Sequence, residues 1–265
     1  MKYLSSIFLF GLLTISGCTP MMTAPGGGKE TRILVLSLSK DQFEVVHVEE
    51  GGTLNFHDKT YATLGPGWTL SELFDAYTRN SLSKYTFISG LNAHKPKKRV
   101  RHNSDEVIAY LKEISKQYHV DYVFLLITNY PLEYYGSISS VATEADYGYE
   151  SKVYRHWTQG DLPDAAIYLS GTVKLYNVSE LGLDSRPIYC SDRYMEHPID
   201  PVGLLEVNRG RINVKKITSH FKETVFQTAE KSYENYFQKA LEHCKLVPSS
   251  EPELPIKKSQ NQFDL

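Results

Sequence analysis

Val120-Asp-Tyr-Val-Phe-Leu-Leu-Ile-Thr128 is the strongest strand signal in the chain. Its near-continuous apolar run leaves no polar face for water, so it belongs in the middle of a sheet covered on both sides. Immediately before it, Val107, Ile108, Leu111, Ile114 and Tyr118 recur at helical spacing. Asp105 and Glu106 fall in the first turn of that helix, where acidic side chains favour the dipole. A helix delivering the chain into a buried strand predicts a layered fold, and the flanking segments extend it in both directions.

Upstream, Ile33 to Ser39, Phe43 to Val48, Asn55 to Thr63 and Tyr85 to Ser89 read as strands, with Gly51-Gly52 as a turn. Thr69-Leu-Ser-Glu72 fits a capping box, followed by Leu70, Leu73, Phe74 and Tyr77 on one helical face. Downstream, Ala166 to Val178 alternates at Ile167, Leu169, Gly171, Val173 and Leu175, which predicts a half-buried strand, and Arg186 to Glu196 returns beside it as a hairpin. From Val214 to Lys245, apolar residues at Ile217, Phe221, Val225, Ala229, Tyr233, Tyr236, Phe237, Ala240 and Cys244 keep a helical period. The expected fold class is α+β: a mixed sheet covered by two or three helices, including a long carboxy-terminal helix. A single domain is expected over 31–245, followed by a disordered tail at 246–265 with three prolines.

The 265 residues carry 29 Lys and Arg against 31 Asp and Glu, a net charge of −2, so no overall basic excess points to nucleic acid. No run of about eighteen apolar residues is present for a membrane-spanning helix. The amino terminus is different in kind. Lys2 precedes a nine-residue apolar core, Ile7 to Ile15, too short to span a bilayer and right for a secretory signal. Ile15-Ser16-Gly17-Cys18 follows and resembles the lipobox of bacterial lipoproteins, in which the Cys is diacylated and becomes the first mature residue. Residues 1–17 are therefore expected to be a signal peptide. Residues 18–30 are expected to be a flexible tether with a reach of roughly 20 Å, holding the chain to the membrane through the Cys18 lipid. Thr19, in place of the Asp that signals inner-membrane retention in enteric-type bacteria, implies an outer-membrane address facing the periplasm.

With Cys18 assigned to lipid, Cys190 and Cys244 remain. In an oxidising compartment two leftover cysteines form a disulfide or stay as two buried thiols. Cys244 lies in phase with the apolar face that would cover the sheet, which favours a bridge to the strand carrying Cys190.

Two surface features stand out. Residues 94–102 read His-Lys-Pro-Lys-Lys-Arg-Val-Arg-His, and Lys95, Lys97, Lys98, Arg99 and Arg101 form a candidate contact for an anionic surface, either phospholipid head groups or an acidic partner. The alternative is a solvated loop before the helix. The segment 130–163 places Tyr130, Tyr134, Tyr135, Tyr147, Tyr149, Tyr154 and Trp157 among Ser, Gly and acidic residues. Such a Tyr-rich insertion is expected to be a long loop or a protruding hairpin, and a candidate partner contact. Its alternative is a mobile surface loop.

The chain contains no Gly-x-Ser-x-Gly, P-loop, His-Glu-x-x-His or Gly-x-Gly-x-x-Gly motif. Gly26-Gly27-Gly28 precedes a strand and not a helix. His119, His156, His197, His220 and His243 share no ligand spacing, and Asp161, Asp164, Asp192 and Asp200 read as turn residues. No catalytic residue, metal or cofactor is expected.

Tyr118-His-Val-Asp-Tyr-Val-Phe-Leu-Leu-Ile127 and Ile167-Tyr-Leu-Ser-Gly-Thr-Val-Lys-Leu-Tyr-Asn-Val-Ser179, read with the element order, resemble a group of envelope lipoproteins. That group includes the periplasmic domain of the curli-secretion channel, the peptidoglycan-synthase activator lipoproteins and the amino-terminal domain of the Tol-system propeller protein. Where the group ends this strand with Asp-Val-x-Thr-Gly, this chain has Asn177-Val-Ser-Glu-Leu. The resemblance implies a non-enzymatic factor that binds another envelope protein for secretion, surface-structure assembly or cell-wall synthesis. Its runner-up is an oligomeric channel of the curli type, in which the insertion becomes a membrane hairpin; a periplasmic hydrolase is the third reading. Fold-level likeness does not fix function.

Overall fold

Three parallel strands form one half of the structure, a computed structural model that describes residues 31–39, 42–51, 57–95, 105–128, 147–156, 160–182, 186–192, 194–200, 207–208 and 211–249. β1 (Arg32–Ser37) lies between β4 (Thr86–Ser89) and β5 (Tyr122–Thr128), parallel to both. The crossovers are helical. α1 (Leu70–Ser81) precedes β4, and α2 (Asp105–Tyr118) joins β4 to β5. β1 and β5 alternate between two cores. Ile33, Val35, Phe124 and Leu126 face α1 and the long helix α3 (Ser219–His243), while Leu34, Leu36, Val123, Leu125 and Ile127 face α2. That double coverage is what the apolar run of β5 requires.

The other half is built on two hairpins. β2 (Phe43–Gly51) pairs antiparallel with β3 (His57–Leu64), and β6 (Tyr147–His156) pairs antiparallel with the 18-residue β7 (Gly160–Asn177). β2 and β6 join the hairpins side by side as a parallel pair, Glu44 opposite Gly148 through Gly51 opposite Arg155. Across this pair the buried His47 ring meets the Ser151 hydroxyl, Nδ1 to Oγ 2.9 Å. β7 carries both halves of the sheet. Its first part pairs with β6 and with β9 (Tyr194–Pro198), and its last part with β5 and with β8 (Ile188–Tyr189). A small ribbon of β10 (Val207–Asn208) and β11 (Arg211–Ile212) lies against β3. The class is thus α+β, with a mixed sheet and three helices including the long carboxy-terminal one.

Three expectations are corrected. β7 is not half-buried: Tyr168, Ser170, Thr172, Lys174 and Tyr176, on the face opposite Ile167 and Leu169, are also buried. The Lys174 ammonium sits 4.5 Å from the centre of the Tyr189 ring, where the face of the π system stabilises it. The tail does not begin at 246. Leu246 is fully buried and Val247 packs on the same core. The cause is the end of α3, where Lys245 turns left-handed (φ 57°). Leu246 N then donates to Leu241 O at 2.9 Å and Lys245 N to Glu242 O at 2.9 Å. That hydrogen-bond pair turns the residue after the helix back onto the core. The third correction concerns the Tyr-rich segment and is given with the site below. The tail beyond residue 249, the signal peptide, Cys18 and the tether lie outside the described residues.

Candidate functional site

Because β1, β4 and β5 are parallel, their carboxy ends share one edge of the sheet. A cleft of about 240 Å³ opens there, lined by Val35 and Ser37 of β1, by Thr69, Ser71, Glu72, Phe74 and Asp75 at the start of α1, and by Gly90, Leu91 and Lys95 after β4. Clefts at the carboxy ends of parallel strands are the usual binding crevices of open α/β sheets, as a matter of fold-level analogy.

Each wall has a local reason. The predicted capping box is present: Glu72 N donates to Thr69 Oγ1 (3.1 Å) and Thr69 N to Glu72 Oε2 (2.8 Å), which fixes where α1 begins. Gly90 lets the chain after β4 pass against β1. Its N–H donates to Val35 O at 2.7 Å, and a Cβ there would stand 2.4 Å from that same oxygen. Ser37, Ser39 and Ser71 form a chain of hydroxyls, 2.8 Å and 3.1 Å between oxygens. Lys95 Nζ donates to Ser39 O at 3.0 Å.

Asp75 is the unusual member. Its side chain is only 4% exposed, yet Oδ1 has no hydrogen-bond partner among the described residues. The Arg79 guanidinium is 3.8 Å from Oδ2 and is itself largely in solvent. Burial holds the Asp75 carboxyl above its ordinary pKa, with the Ser89 hydroxyl and Arg79 pulling the other way. The sequence reading passed over this residue. Its signal is a second buried stripe on α1, Ser71, Asp75 and Thr78, at the i, i+4, i+7 spacing beside the apolar face.

The residues singled out from sequence are distributed as follows. Lys95 is exposed and borders the cleft, while Lys97, Lys98, Arg99 and Arg101 lie outside the described residues. Cys190 and Cys244 are joined by a disulfide, with Cα atoms 5.2 Å apart. Tyr147 and Tyr149 are not partner contacts. They are buried, 0% and 2% exposed, on the face of β6 that α3 covers. Tyr147 packs edge-on against Phe43 and Tyr233, with ring centres 6.0 Å and 5.9 Å apart, and Tyr149 edge-on against Phe221 at 5.2 Å. The Tyr147 hydroxyl also accepts from Leu70 N (3.4 Å), one of the unpaired amides of the first turn of α1. Tyr130, Tyr134, Tyr135 and Trp157 lie outside the described residues, as does the side chain of Tyr154. Among the described residues, no group of three or more His, Cys, Asp or Glu side chains could hold a metal ion, and no helix is long and apolar enough to cross a membrane.

Comparison with protein-family models finds no match to this chain, and a search of curated proteins finds none.

Proposed function

We propose that this chain is a lipid-anchored, non-enzymatic envelope factor that binds a partner protein at the carboxy edge of its parallel strands. One observation carries the reading. The segment containing the basic run begins at Lys95, after β4, and returns to α2 at Asp105; the segment containing Tyr130, Tyr134 and Tyr135 begins after Thr128, at the end of β5. Parallel strands make both segments leave the sheet at the same edge. The described residues from which the basic and the Tyr-rich segments depart, Lys95 and Thr128, therefore lie on one side of the fold, and the composition of the two segments suits an interface with an acidic rim.

The direction of β1 favours the acidic partner over phospholipid head groups. The chain from Cys18 reaches the sheet at Thr31 and Arg32, whereas Lys95 is held at the far end by Ser39. Six residues of strand span about 20 Å at about 3.3 Å each. The end nearest the anchor presents a groove lined by Thr31, Asp121, Asn177 and Ser179, with Glu180 beside it, which offers little attraction to anionic head groups. The basic run then serves a protein partner, with the lipid on Cys18 supplying the membrane attachment.

A channel of the curli type is less well supported. The two hairpins meet through the parallel pair β2–β6, whereas outer-membrane barrels are antiparallel throughout. The test is to extract the lipidated protein from its own membrane in mild detergent, crosslink it lightly, and measure particle size and crosslinked peptides. The expected result is one recurrent envelope protein joined through residues 94–102 or 130–146. A large ring of this chain alone would overturn the proposal in favour of the channel.

A further inference from the structure

We infer that the cleft beside Asp75 is a binding site for a small amine, a primary ammonium on a short aliphatic stem such as the side chain of a basic amino acid carries. This goes beyond the partner-binding reading, because the ligand is a small molecule and the residue that carries the site is Asp75, although Lys95 borders both. The argument starts from hydrogen-bond supply. Glu72 is engaged by Thr69, the Ser37, Ser39 and Ser71 hydroxyls bond to one another in a row, and Lys95 donates to Ser39 O. Asp75 is one of the residues that line the cleft; the Ser89 hydroxyl and the Arg79 guanidinium act on its carboxylate, but Oδ1 has no donor, on a side chain 96% removed from solvent. An ionised oxygen buried in that way is stabilised most by a donor that also carries positive charge.

The rest of the cleft sets the size and shape of that donor. Val35, Phe74 and Leu91 give it apolar walls for a hydrocarbon stem. About 240 Å³ accommodates one amino-acid-sized molecule and excludes a folded partner. Burial that raises the affinity of Asp75 for a proton raises it for a cationic donor for the same reason.

The test uses the full lipidated protein in detergent at neutral pH, with n-butylammonium chloride as the probe and sodium butyrate and potassium chloride at equal ionic strength as controls. Calorimetry should give saturable binding of n-butylammonium in the millimolar range or tighter, with a raised Tm, and neither effect with the two controls. Asp75→Asn keeps the shape and removes the charge, and should weaken binding at least tenfold. Leu91→Trp narrows the mouth from an exposed position, 49% accessible, and should weaken it comparably with Asp75 intact, which keeps the test decisive should the first variant fail to fold. Equal effects of amine and potassium, or undiminished amine binding in either folded variant, would overturn the inference.

Discussion

Cys190, which follows β8, is bonded to Cys244, the cap of α3, so the last helix is fastened covalently to the sheet it covers. The bond closes a separation of 54 residues. In the chain-entropy account a loop of that length stabilises the fold by about 4 kcal/mol. Replacing both cysteines by serine, or reducing the protein before a urea titration, should lower the unfolding free energy by about that amount. A change under about 1 kcal/mol would show that the bond adds nothing to the packing of α3.

Tyr147 tests whether β6 belongs to the core. Tyr147→Ala removes a fully buried ring from between Phe43 and Tyr233 and should cost about 3–5 kcal/mol. Tyr147→Phe keeps the ring and removes the hydroxyl that accepts from Leu70 N, a smaller loss of about 0.5–1.5 kcal/mol. Similar small losses in both variants, measured by chemical denaturation, would contradict the placement.

How much of this was legible from sequence depends on how local the signal is. The capping box of α1 involves residues three apart, and the strand Tyr122–Thr128 carries its burial in its own apolar run. The phase of Cys244 on α3 favoured a bridge to Cys190 over two buried thiols, and the bridge is present. Tyr147 and Tyr149 did not read as core, because Gly148 and Glu150, which alternate with them, resemble loop composition. The period of two through Ser151 was present, but the reason for the glycine lies about a hundred residues away, at Glu44. For Asp75 the stripe with Ser71 and Thr78 signals burial, but only the apposition of β1 and the segment after β4 turns an acidic helix residue into the wall of a cleft.

That glycine gives a third prediction. A Cβ on Gly148 would stand 1.8 Å from the Glu44 carbonyl oxygen, which is backbone and cannot swing away. Gly148→Ala should force β2 and β6 apart and cost at least about 2 kcal/mol in a denaturation titration. An unchanged midpoint would mean that the two strands are not in contact there.

Substitution in the other direction should stabilise. His119 ends α2 in the left-handed region, φ 52°, while Val120 N donates back to Ser115 O at 3.3 Å. That conformation costs a non-glycine residue about 1–2 kcal/mol. Glycine's greater freedom in the unfolded chain offsets part of the gain. His119→Gly should leave a net increase of about 0.5 kcal/mol, read as a raised Tm; a lowered Tm would refute the geometry.

The raised pKa of Asp75 makes stability depend on pH in a definite direction. The unfolded carboxyl ionises near 3.8 and the folded one only at higher pH. Below 3.8 both states are protonated and the group contributes nothing. As pH rises above 3.8 the unfolded state is increasingly favoured, and the penalty grows until the folded carboxyl has ionised as well. Asp75→Asn should therefore raise the Tm at pH 7 by more than at pH 3. An equal shift at both values would mean that the side chain ionises alike in both states.

The parallel pairing of β2 with β6 also governs the order in which the protein can acquire its structure. His47 meets Ser151 across a sequence separation of 104, so β2 has no inner neighbour until β6 has emerged. Contacts of such separation form late and slowly. A chain delivered amino terminus first would keep the β2–β3 hairpin waiting with an open edge through the whole synthesis of α1, β4, α2 and β5. Maturation of this protein is thus a race between the arrival of β6 and the capture of that edge by another chain, and a holding chaperone would act during that interval.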